Sequence, residues 1–154
     1  GLLSIRFAEI ESLVTHILEK LINPDDEMIG HQLIKDNSLH TNIELLKKLS
    51  SMRSYEEEKI LQIVSKLKPL KSLRNSFIHG VWLEVQIEEK ENYFYCTNHK
   101  WVLTEKTAGR TTHSRYSGKK YTIQDLDKQI KIADEILFEL KQIWENLSEL
   151  NYFE

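Results

Sequence analysis

Cysteine is nearly absent from this chain: Cys96 stands alone among 154 residues. A single thiol cannot close an internal disulfide, so no covalent framework is expected, and nothing points to an oxidising compartment. Proline occurs twice and glycine five times, too seldom for long irregular segments or a low-complexity linker. No apolar run approaches the roughly 18 to 20 residues that cross a bilayer. No secretory leader is visible after Gly1. A Gly-rich phosphate loop and a Gly-x-Ser-x-Gly elbow are both missing, which argues against the common nucleotide hydrolases and against serine hydrolases. These absences are read as a soluble, cytoplasmic protein with no membrane association and no internal repeat.

What is present suits one compact domain. Apolar residues make up 40% and charged residues 29% of the chain, a globular rather than disordered balance. The net charge of −3 hides a pattern. Residues 1–58 carry six basic and eleven acidic side chains, whereas residues 59–83 carry five basic and no acidic ones. Residues 97–121 carry six basic side chains and one acid. Two basic islands on an acidic background suit a local polyanion site, or are clusters on a solvated surface.

Helical periodicity dominates. Leu3, Phe7, Ile10, Val14, Ile17 and Leu21 alternate spacings of four and three, one apolar stripe along a first helix. Pro24 and the acids after it stop that helix, and residues 25–37 read as a loop with at most one helical turn. A second helix is capped near Asn37 or Ser38, with Leu39, Ile43, Leu46 and Leu49 as its stripe. A third begins after Ser54, with Glu56, Glu57 and Glu58 at its positive dipole end. Its stripe is Ile60, Val64, Leu67, Leu70, Leu73 and Phe77, interrupted by Pro69, which kinks or splits it. Gly80 is the natural stop.

The period then changes to two. Val81, Leu83, Val85 and Ile87 alternate with Trp82, Glu84, Gln86 and Glu88, and residues 93–103 are aromatic and β-branched. This predicts a β-hairpin, with a short third strand near Arg115 to Tyr121 and a polar, mobile run over 105–120. Thr122 and Asp125 open a last helix like a capping box. Its stripe is Ile123, Leu126, Ile130, Ala133, Leu137, Leu140, Trp144 and Leu147. The expected fold is mainly α: an up-down bundle of four to five helices with a small antiparallel β insertion, about residues 81–121, before the last helix.

One stretch carries chemistry: "LKSLRNSFIHGVW", residues 70–82. Asn75 and His79 are four apart and share a helix face. Arg74 and His79 are five apart, about 140° around the helix, and do not. Either the helix end at Gly80 lets His79 swing, or, the arrangement favoured here, a two-fold axis brings two arginines and two histidines into one cleft. Arginine clamps phosphate oxygens with a planar fork and stays charged. Histidine takes or gives a proton near neutral pH, and a helix C-terminus favours its charged form. Together they suit attack by an RNA 2′-hydroxyl on its own phosphate, chemistry that needs no metal and that DNA cannot undergo.

The segment "RNSFIH" resembles the Arg-polar-x-x-x-His motif of the HEPN superfamily (higher eukaryotes and prokaryotes nucleotide-binding domain). The resemblance implies a single helical domain over 1–154 and a homodimer with its cleft at the dimer interface. It also implies a metal-independent endoribonuclease of a toxin–antitoxin or defence system, with RNA as substrate and an antitoxin protein as partner. Arg74 would hold the phosphate, His79 would act as base or acid, and Asn75 would orient one of them. Some members carry a tyrosine that a partner nucleotidyltransferase modifies; Val81 stands at that position, so that control is not implied. The hairpin has no counterpart in the motif.

Around the motif, Lys66, Lys68 and Lys71 either track phosphates or face solvent. Lys100, Arg110 and Arg115, with Lys119 and Lys120, interleave with Trp101, Tyr116 and Tyr121. That mixture binds single strands by charge and stacking, or packs the hairpin onto the bundle. Cys96 and His99 have a metal-site spacing with His113 beyond, but no second cysteine, so no metal and no cofactor is expected. His16, His31 and His40 read as surface, loop or cap residues. Two classes of function follow: a ribonuclease, and a non-catalytic interaction or RNA-binding module using the same cleft or the basic hairpin.

Overall fold

The computed structural model describes residues 1–87, 90–98, 102–107, 110–114 and 117–149. The fold is mainly helical with a small antiparallel sheet, as the periodicities predict. The chain divides into two compact units, Gly1–Leu70 with Ile130–Glu154, and Lys71–Gln129.

The first unit is helical. Helix α1 spans Leu2–Ile22, α2 Glu27–Ile34, α3 Leu39–Met52, α4 Glu57–His79 and α5 Ile123–Glu149; the unit holds α4 up to Leu70 and α5 from Ile130. Its core is made of stripes. All six α1 stripe residues are buried, joined by Leu18. In α4, Ile60, Val64, Leu67 and Leu70 are buried with Ile63 beside them. In α5, Ala133, Leu137, Leu140 and Leu147 are buried as predicted. Ile136 and Ile143 join them, whereas Trp144 is 37% exposed. Polar ties set the helix directions. Arg6 pairs with Asp134 at 2.7 Å, and the His16 ring lies 6.4 Å from that of Trp144, so α1 and α5 run parallel. The buried Tyr55 hydroxyl donates to the Ile143 carbonyl. Further along, Lys66 meets the earlier residue Glu139 at 3.0 Å, so α4 runs against α5. That is the up-down order.

Two local expectations need correction. Residues 25–37 are not mainly loop: α2 occupies eight of them. Asp26 caps it by accepting from the Met28 N–H, and Asn23 accepts from the Asp25 and Asp26 N–H groups. The acids that end α1 thus begin α2, because a carboxylate satisfies the free N–H groups of a helix start. The other concerns one of the two outcomes expected at Pro69, the split: the proline lies inside a continuous α4. Neither a gap nor a second helix start appears there.

Between α3 and α4 the chain turns sharply. The Ser54 N–H donates to Ser51, and the Tyr55 N–H to Ser50. These two bonds form a Schellman cap, which requires a left-handed residue at Ser54, and Ser54 has φ 50°. The turn drives Tyr55 into the core.

The second unit contains the end of α4, the start of α5 and all the strands. Strand β1 spans Val81–Ile87, β2 Lys90–Asn98, β3 Val102–Thr107, β4 Arg110–Ser114 and β5 Ser117–Thr122. One antiparallel sheet has the order β1-β2-β5, and β3 pairs with β4 as a separate hairpin. The predicted hairpin and third strand are therefore present. The second strand ends at Asn98 rather than 103, however, and much of the polar run over 105–120 is strand. Thr122 and Asp125 close a reciprocal capping box: each backbone N–H donates to the other's side chain, at 2.9 and 3.0 Å.

Candidate functional site

The motif residues all lie in the last three turns of α4, within the second unit. Arg74 is half-buried, whereas Asn75 and His79 are exposed. The helix is regular to its end, where the Gly80 N–H donates to the Ser76 carbonyl at 2.8 Å. Asn75 and His79 therefore share a face one turn apart, and Arg74 points about 140° away from His79. The structure brings Asn75 and His79 together and separates Arg74 from them. Arg74 is engaged within the chain. His79 is the last residue of α4, at the negative end of the helix dipole.

An aromatic cluster holds this helix end. Phe77 packs against Trp82, ring centroids 4.3 Å apart, and Tyr121 lies 5.6 Å from Trp82. The Trp82 indole N–H donates to the Phe77 carbonyl. Cys96 is buried, and its thiol donates to the Ser76 carbonyl. Burial pushes its pKa up, so the thiol stays protonated at neutral pH and is a structural donor. Tyr121 is 7% exposed. It packs the sheet onto α4 and offers no stacking face.

The other basic candidates belong to different elements. Lys71 is half-buried in the second unit, and Lys68 is exposed in the first. Lys66 is taken up by Glu139. Arg110 is the first residue of β4. Lys100 and Arg115 lie outside the described residues, as do Trp101, Tyr116 and His99. Among the described residues, no group of three or more His, Cys, Asp or Glu side chains is placed to hold a metal ion. No described helix is long and apolar enough to cross a membrane.

One constellation escaped the sequence reading. Glu19 is 6% exposed; its carboxylate accepts from His31 Nδ1 at 2.9 Å and lies 3.6 Å from His16 Nδ1. The three line a cleft of about 390 Å³ with Glu27 and Met28. The only sequence signal was a carboxylate beside the apolar stripe of α1. Its partner His31 comes from a segment read as loop.

The comparisons with known proteins add no relative: the chain matches no family model, no curated protein and no solved structure.

Proposed function

We propose that this protein is a HEPN-type, metal-independent endoribonuclease that acts as a homodimer. The observation that carries the reading is the placement of "RNSFIH" on the last turns of an unbroken helix. Asn75 and His79 form one exposed pair at its C-terminal end, next to a half-buried arginine. Because Arg74 and His79 diverge by about 140°, one protomer aims both at one phosphate only if His79 swings at the helix end, and a two-copy cleft needs no such change. The arginine of one copy works with the histidine of its partner.

In this mechanism Arg74 holds two phosphate oxygens and offsets the charge that builds on them. His79 takes the 2′-hydroxyl proton as the 2′-oxygen bonds to phosphorus. The P–O5′ bond breaks, and the departing 5′-oxygen takes a proton from solvent, to which His79 returns the one it removed. The products are a 2′,3′-cyclic phosphate and a 5′-hydroxyl. Asn75, one turn from His79, orients the imidazole or the substrate. The toxin or defence role, a cytoplasmic site of action and control by an antitoxin protein belong to the same proposal through the motif's resemblance.

A second reading is favoured by one observation: Arg74 is half-buried and already has an interaction in the chain, as a structural arginine would. The protein is then a non-catalytic interaction or RNA-binding module. RNA cleavage in EDTA by wild type, Arg74→Ala and His79→Ala separates the two. The ribonuclease reading expects cleavage by wild type and a loss of at least about 100-fold in each folded variant, the usual contribution of a positioned proton-transfer group for His79 and of a charge-stabilising donor for Arg74. Cleavage that survives both substitutions removes the assignment.

A further inference from the structure

The face of the three-stranded sheet opposite the aromatic cluster has an unusual make-up. Its register forms three rungs: Val81, Thr97 and Gly118; Leu83, Tyr95 and Lys120; Val85, Tyr93 and Thr122. In a chain with 24 acidic residues, none of these nine positions is acidic, and the only charge is a lysine. The face is also turned outward. Val81 is 43% exposed and Leu83 52%, whereas Trp82, between them in sequence, packs inward on Phe77.

The two tyrosines are specifically arranged. A Cβ at Gly118 would run into the Tyr95 ring, so glycine lets that ring lie across β5. Lys120 Nζ sits 5.4 Å from the Tyr93 ring centroid, a cation over an aromatic face. Lys119 and Lys120 are both exposed on β5, an edge of the sheet, within the segment 97–121 that carries six basic residues and one acid.

We infer that this sheet face is a platform for single-stranded RNA, with Tyr93 and Tyr95 stacking successive bases and Lys120 meeting the backbone between them. The inference rests on the ribonuclease reading for its choice of RNA, and it names how that substrate is held. Aromatic side chains on an open sheet bind unpaired bases because every base has a π-face, while a lysine supplies phosphate attraction. The platform needs strands rather than duplex, since paired bases present no face. β1 begins two residues after His79, so a strand lying on the face leads toward the motif.

The test uses a fluorescently labelled 2′-O-methyl RNA of about a dozen nucleotides, which lacks the attacking hydroxyl and cannot be cleaved. Binding is read by anisotropy for the full chain, with circular dichroism as the folding control. Wild type binds. Tyr93→Ala and Tyr95→Ala each weaken binding about tenfold. Lys120→Glu, an exposed change that leaves the fold intact, weakens it severalfold and flattens its salt dependence. Lys48→Glu, on α3, leaves it unchanged. The inference is overturned if folded wild type does not bind, or if binding ignores all three platform substitutions. It also falls if Leu83→Glu dissociates a protein assembly while the oligonucleotide stays unbound, which would mark a protein interface. The ribonuclease reading fails separately: cleavage of unmodified RNA by His79→Ala would remove it without touching the platform.

Discussion

Gly30 and Glu19 show how much a single contact decides. Gly30 is buried in α2, where glycine costs about 1 kcal/mol relative to alanine. It is tolerated because a Cβ there would lie 2.8 Å from both the Cα and the carbonyl oxygen of Glu19. That is helix backbone, which cannot step aside. Gly30→Ala should therefore destabilise the protein by about 1–3 kcal/mol, despite the gain in helix propensity. Urea unfolding measures this; a stabilised variant would show that α2 does not rest so closely on α1. The same contact sets His31 against the Glu19 carboxylate. At the motif, the residue types were readable from the sequence. That Arg74 is half-buried while Asn75 and His79 face solvent was not, because exposure depends on what folds back over the helix.

At the level of elements, the caps are the most instructive features. Ser54 closes α3 in a left-handed conformation that costs a non-glycine residue roughly 1–2 kcal/mol. Ser54 is exposed, so Ser54→Gly should raise stability by about 1 kcal/mol and lift the midpoint of thermal unfolding. An unchanged midpoint would mean that the extra freedom of glycine in the unfolded chain cancels the relief. At the start of α5, the Asp125 carboxylate accepts from the Thr122 backbone N–H, which with the Thr122 side-chain bond lowers its pKa from the usual 3.8. A depressed folded pKa adds stability that is present above the unfolded pKa and lost as pH falls through the folded one. Wild type should therefore exceed Asp125→Asn in stability at neutral pH, with the gap closing below about pH 4. Thermal melts across that range check it, and a gap independent of pH would remove the carboxylate from the account. The strands were less readable. The alternation at β1 was plain, but its sense was not: Trp82 turns inward and the aliphatic residues outward. Only the aromatic floor made by Phe77 and Tyr121 settles which face is covered.

For the whole molecule, the decisive quantity is the number of chains in the working unit. The rotation between Arg74 and His79 favours a proposed site in which residues from two copies act on one phosphate. Arg74→Ala and His79→Ala, each inactive alone, should regain cleavage when mixed and allowed to exchange subunits. The mixed dimer keeps one intact pair, His79 of one variant and Arg74 of the other. With one variant carrying a terminal mass tag, native mass spectrometry identifies the mixed species as twice 18.2 kDa plus a single tag; mixed dimers without activity would sink the two-copy site. The net charge of −3 gives little general attraction for RNA, so affinity should be local and strongly salt-dependent.

The sequence by itself determined the four long helices, most of their buried stripe positions, the presence of a small antiparallel insertion and the motif's position at a helix end. Those features are local: 3.6-residue and two-residue periods, caps and breakers act within a few residues of the chain. Tertiary structure decided the rest. It made a helix of residues 27–34, carried α4 through Pro69, buried Tyr55 against Ile143 and turned one sheet face outward. Each of these turns on a neighbour distant in sequence or on the energy of the whole helix. A missing backbone bond at Pro69 is outweighed by the buried residues on either side of it, and no local reading of the chain can weigh that sum.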